Sequence, residues 1–126
     1  WDNDWVMSAN IFYNLQQVEC VLAAAVEDDQ PVTLLTAPGA AAYGGPEFYL
    51  AMVAAARAQY PTADVTAILD CGEDGALAQA ALNLGWRHLV LRGGATVREK
   101  LRQIAKHHGG VVLAKPPSAM DPGPDE

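Results

Sequence analysis

Long apolar runs are missing from this chain. In its candidate helices Val21 to Val26 and the longer Phe48 to Ala56 are both far short of the roughly 20 residues that cross a bilayer, so neither a membrane span nor a membrane partner is expected. Cysteine is scarce too. Cys20 and Cys71 form no Cys-x-x-Cys or Cys/His spacing, which excludes a disulfide framework and a zinc site and leaves two reduced thiols, with no metal expected. Neither the Gly-Lys-Ser/Thr of a Walker A loop nor the Gly-x-Gly-x-x-Gly fingerprint occurs, so no nucleotide cofactor is expected. The N-terminus, Trp1-Asp2-Asn3-Asp4, is acidic where an export signal is basic. The expected compartment is the cytoplasm.

Basic residues are nearly absent from the first two thirds. Up to Gly85 there is one, Arg57, against eleven carboxylates, whereas from Arg87 to Lys115 there are seven against the single carboxylate Glu99. The net charge of −7 opposes unspecific attraction to nucleic acid. Arg98, Arg102 and Lys106 lie four apart on one helical face, but no aromatic residue interleaves them, which weakens a single-strand RNA surface. An acidic first part beside a basic second part predicts a homodimer instead. Trp1, Trp5, Phe12 and Tyr13 add apolar surface near the N-terminus that a second copy could bury.

Apolar residues make up 51% of the 126 residues, enough for one core but too short a chain for two. Ile11, Leu15, Val18 and Leu22 recur at helical spacing and predict an N-terminal amphipathic helix over 8–27, capped by Ser8 or Asn10. Short apolar strands then alternate with helices: strands from Val32, Val65, His88 and Val111, and helices over about 46–59, 73–84 and 96–106. Strands starting at 32, 65, 88 and 111 and joined by helices imply right-handed crossovers and a parallel sheet. The expected fold is a single three-layer α/β/α domain over 1–115 with a four-stranded parallel sheet, flavodoxin-like or barrel-segment-like. Residues 116–126, rich in proline, are expected to be a disordered tail.

Ligands of parallel sheets bind beyond the carboxyl ends of the strands, so the four turns leaving those ends hold the candidates. The first, Thr36 to Pro46, is long and rich in glycine and alanine, and suits either a ligand loop or a packing connection. The second, Asp70-Cys71-Gly72-Glu73-Asp74-Gly75, puts a carboxylate and a thiol at a strand end. Asp70 could serve as acid or base and Cys71 as nucleophile, although Asp70 or Asp74 could equally cap the helix. In the third, Arg92-Gly93-Gly94-Ala95-Thr96, the residues Arg92, Gly93, Gly94 and Thr96 make a cradle for a phosphate or carboxylate at a helix N-terminus. The fourth begins at Lys115, a second nucleophile candidate.

No motif in these turns assigns a family. The reading they favour is a non-catalytic α/β domain that binds a small anionic ligand or a partner chain at the strand ends. The competing reading is a small lyase- or hydrolase-type enzyme using Asp70 with Lys115 or Cys71.

Overall fold

The structure, a computed structural model, describes residues 9–124. Trp1, Trp5 and Ser8 therefore lie outside the described residues. The chain opens with a strand, β1 (Ala9–Phe12), before helix α1 (Leu15–Asp28). The expected helix over 8–27 is corrected here. Asn14 is the residue that starts the helix: its backbone is extended, its side chain accepts from the Gln17 N–H at 2.9 Å, and Gln17 Oε1 in return accepts from the Tyr13 N–H at 2.7 Å. That reciprocal cap divides what looks in sequence like one apolar stripe, and Asn10 lies inside β1 rather than at a helix end.

Beyond α1 come β2 (Val32–Thr36), the short α2 (Ala40–Tyr43), α3 (Pro46–Gln59), β3 (Val65–Asp70), α4 (Gly75–Leu84), β4 (His88–Val90), α5 (Ala95–His107), β5 (Val111–Leu113) and β6 (Ala119–Met120). Among the described residues the sheet is parallel throughout, as expected, but it has six strands in the order β5-β4-β3-β2-β1-β6. The count of four missed the two short strands nearest the ends of the chain. Ala119 pairs with Ala9 and Met120 with Asn10. The proline-rich segment thus runs back along β1, where Tyr13 Oη donates to Asp121 and Gln17 Nε2 to Gly123 O.

From β1 to β5 each strand is laid beside its predecessor in the same direction. Right-handed crossovers then place all the connecting helices on one face. The core agrees with this: Phe12, Leu34, Leu69, Leu89 and Val112 of the strands pack with Leu22, Val53, Leu82 and Leu101 of the helices. Trp86 is buried in the same cluster, and its Nε1–H donates to Pro46 O. The opposite face of the sheet packs Ala9, Leu35, Ile68 and Val90 on one another, joined by Ile11 and Leu113, with no helix residue among them. Three layers were expected and two are found, because a flavodoxin-like sheet needs a reversal of strand order to carry helices to its second face. This sequential order is that of a barrel segment.

Candidate active site

Parallel strands bring their last residues to one edge, and on that edge Thr36 ends β2 and Asp70 ends β3. Arg92 stands two residues past β4 and Lys115 two past β5. The Asp70 side chain is 1% exposed. Its Oδ1 accepts from Arg92 Nη1 at 2.8 Å and from the Gly72 N–H at 2.9 Å, and its Oδ2 accepts from Arg92 Nη2 at 2.7 Å. This is a forked, charge-assisted pair, the strong form of such bonds. The Asp70 N–H donates to Thr36 Oγ1 at 2.8 Å, tying the ends of β2 and β3 together.

The turns after β3 and β4 are stitched through Gly72. Its N–H holds Asp70 while its carbonyl accepts from the Arg92 N–H at 2.7 Å. Gly72 has φ +61°, a conformation that side chains disfavour. An ion pair buried on the acidic side needs this many fixed donors to offset its desolvation. Arg92 differs from its partner in being 34% exposed, so the guanidinium has one edge in the protein and another in water.

The other sequence candidates fall around this pair unevenly. Cys71 is packed into the core, and burial, reinforced by the charges of Asp70 and Asp74, pushes its thiol up to about 12. Asp74, not Asp70, caps α4 by accepting from the N–H groups of Ala76 and Leu77. Gly93 takes φ +99°, and Gly94 caps α5 without a side-chain bond, so Thr96 is an exposed residue of the first turn rather than the cap. Lys115 is exposed.

One neighbour was not singled out from sequence. Arg98 was read as part of a basic helical stripe, but its Nη1 donates to Gly93 O at 3.1 Å, and its Nε is buried without an acceptor. Gly93 directly precedes the Gly94 cap of α5, so the Arg98 side chain reaches back along its own helix to the turn after β4. His88 opens β4 and His107 and His108 close α5, all at the far end of the sheet from Asp70. Burial lowers the His88 pKa. Among the described residues no three His, Cys, Asp or Glu side chains converge as a metal site.

A carboxylate and an arginine locked together at the carboxyl edge of a barrel-type sheet can move protons and hold anions. Residues 2–100, which include both, match the family described as class-II fructose-bisphosphate aldolase. The chain belongs to the class-II fructose-bisphosphate aldolase family. It is 32% identical over 102 residues to the plasmid fructose-bisphosphate aldolase of Cupriavidus necator, covering 81% of this chain and 29% of that one. Over 92 residues it is 32% identical to the fructose-bisphosphate aldolase of Nostoc commune, covering 73% of this chain and 26% of the relative. The chain thus spans less than a third of the length of these curated aldolases. A crystal structure described as a candidate fructose-1,6-biphosphate aldolase from Coccidioides immitis superposes with a TM-score of 0.69 at 18% identity, over 88% of this chain and 41% of that one. That likeness supports the barrel-type fold.

Membership of the aldolase family overturns the non-catalytic reading. In sequence Asp70 and Arg92 stand far apart, so the anion cradle and the carboxylate look like separate features of a binding domain. The fold joins the two residues into one pair, and the family is one of enzymes. Among the described residues no helix is long and apolar enough to cross a membrane.

Proposed function

We propose that the chain carries part of an aldolase site and acts on a phosphate-bearing sugar by reversible carbon–carbon cleavage, with Asp70 as the group that moves the proton. The single observation that carries this reading is the forked Asp70–Arg92 pair at the carboxyl edge of the sheet, inside the segment that matches the aldolase family. In aldol cleavage a base takes the proton of a hydroxyl β to a carbonyl. The hydroxyl-bearing carbon becomes the aldehyde carbon as the carbon–carbon bond breaks, the electron pair of that bond is left on the carbon α to the carbonyl as an enolate, and the enolate takes up a proton to give the second product. Asp70 suits the first step because the Gly72 N–H fixes its carboxylate in direction and burial shields it from water.

Arg92, Gly93, Gly94 and Thr96 form the anion-recognising side, with Arg98 added to them. Arg98 Nη1 reaches the carbonyl of Gly93, and the first turn of α5 has N–H groups with no side-chain cap. Cys71 has no part in this reading, since its thiol stays protonated, and neither does Lys115. The reading keeps the expectations of a cytoplasmic chain and of a homodimer, in which a second copy would extend the edge on which the site lies.

The test is release of a triose phosphate from fructose 1,6-bisphosphate by the chain as it stands. Cleavage that falls by about 10² to 10⁴ in Asp70→Asn, the range for loss of a positioned acid or base, is the expected result. Cleavage equal in the wild type and Asp70→Asn would remove Asp70 from the reaction, and a chain that binds the sugar bisphosphate without cleaving it would remove the activity.

A further inference from the structure

The geometry of the fork sets a problem for the proposed function, on whose placement of Asp70 this inference rests. Both oxygens of Asp70 are already engaged, Oδ1 by two donors and Oδ2 by one. A carboxylate so occupied has little capacity left to accept a substrate proton. The bond that must yield is the one to Arg92, because Gly72 is part of the turn backbone whereas the guanidinium is a side chain with a third of its surface in water.

We propose that Arg92 is a latch shared between Asp70 and the phosphate of an incoming substrate: the doubly charged oxyanion draws the guanidinium off Asp70 and leaves the carboxylate open. Two features favour the transfer. A third of the Arg92 side chain is open to water, so an oxyanion reaches it while the fork is still closed, and Arg98, which donates to the carbonyl of the adjoining Gly93, adds a second positive charge to that turn. Asp70 is also left supported, with the Gly72 N–H on Oδ1 and its own N–H on Thr36. Arg92 is then a positioning residue: it keeps the base closed until an anion of the right charge is present. A neutral sugar leaves the latch shut.

Competition for one guanidinium has a signature that a merely structural ion pair lacks, because coupling between two sites is reciprocal. The probe is sulfate, titrated calorimetrically into the wild type, Asp70→Asn, Arg92→Ala and Arg92→Lys. Removing the competing charge in Asp70→Asn is expected to tighten sulfate binding by about 5-fold or more. Arg92→Ala is expected to weaken it about tenfold or more, with partial recovery in Arg92→Lys. Equal or weaker sulfate binding in Asp70→Asn, with binding still dependent on Arg92, overturns the latch and leaves the anion-recognising side intact. No sulfate binding by the wild type or by Asp70→Asn removes both. Should Asp70→Asn fail to fold, crystals of the wild type soaked in sulfate decide. The expected result is Arg92 on sulfate and beyond hydrogen-bond reach of Asp70, more than about 3.5 Å, whereas sulfate on the free edge of Arg92 with the fork intact overturns the latch.

Discussion

Removing Arg92 strands a carboxylate that water cannot reach. Breaking a buried pair from one side costs about 3–5 kcal/mol, and because a third of the guanidinium is exposed screening by water brings the loss somewhat below that range. Arg92→Ala is expected to lose roughly 2–3 kcal/mol in urea unfolding. The double variant Asp70→Asn with Arg92→Ala is expected to recover part of that loss, since no unpaired charge remains buried. Two equal losses that simply add would show that the pair is not coupled. Cys71 gives a second expectation at this scale. Its thiol is raised to about 12, above the unfolded value near 9, so its contribution to stability is complete below about pH 9 and is lost as pH rises from there through about 12. Cys71→Ala is expected to flatten that alkaline loss, measured as the difference in unfolding free energy from the wild type. In the folded protein at pH 8, iodoacetamide is expected to modify the exposed Cys20 and spare Cys71, as mass spectrometry of the labelled peptides would show.

Among the elements, the helices were legible where their ends carry local chemistry. Pro46 opens α3, Gly85 ends α4, and Asp74 caps α4 through two N–H groups. Asp74→Ala is expected to cost about 1 kcal/mol, the usual loss of an N-cap, read from a shift of the urea midpoint at unchanged slope. The N-terminal element was misread for an equally local reason. The four-residue spacing of Ile11 and Leu15 continues the helical period, and only the side chain of Asn14 turning onto Gln17 separates strand from helix. In β6 two residues pair with β1, and Ala119-Met120 has none of the β-branched character that marks a strand. The site was half legible. Position at a strand end singled out Asp70 and Arg92 separately, but they stand 22 positions apart in the chain, and their pairing depends on β3 and β4 being neighbours in the sheet. Spacing along a sequence does not carry strand order.

At the scale of the whole molecule, sequential strand order decides where the charges go. The basic residues Arg98, Lys100, Arg102 and Lys106 are carried by α5, between β4 and β5 at one end of the sheet, and the carboxylates Glu19, Glu27 and Asp28 by α1, between β1 and β2 toward the other. A sheet so polarised offers a second copy an opposite charge, and a two-fold dimer that weakens with salt is the expected outcome. Sedimentation at micromolar concentration as a 13.4 kDa species in both low and moderate salt would reject it.

The seam between β1 and β6 has a mechanical meaning. These two strands are parallel neighbours held over two residue pairs, Ala9 with Ala119 and Asn10 with Met120. Pulled apart through residue 9 and residue 124, they are loaded along their length, so the bonds between them are sheared together rather than unzipped one by one. The seam is nevertheless short, and the exposed Met120 adds little apolar grip. Under steady force in an optical trap the chain is expected to yield in two events, a small extension as β6 and the segment around Asp121 peel from α1 and β1, followed by a larger one as the other five strands give way. A single rupture would mean that the borrowed edge is as strong as the sheet it completes.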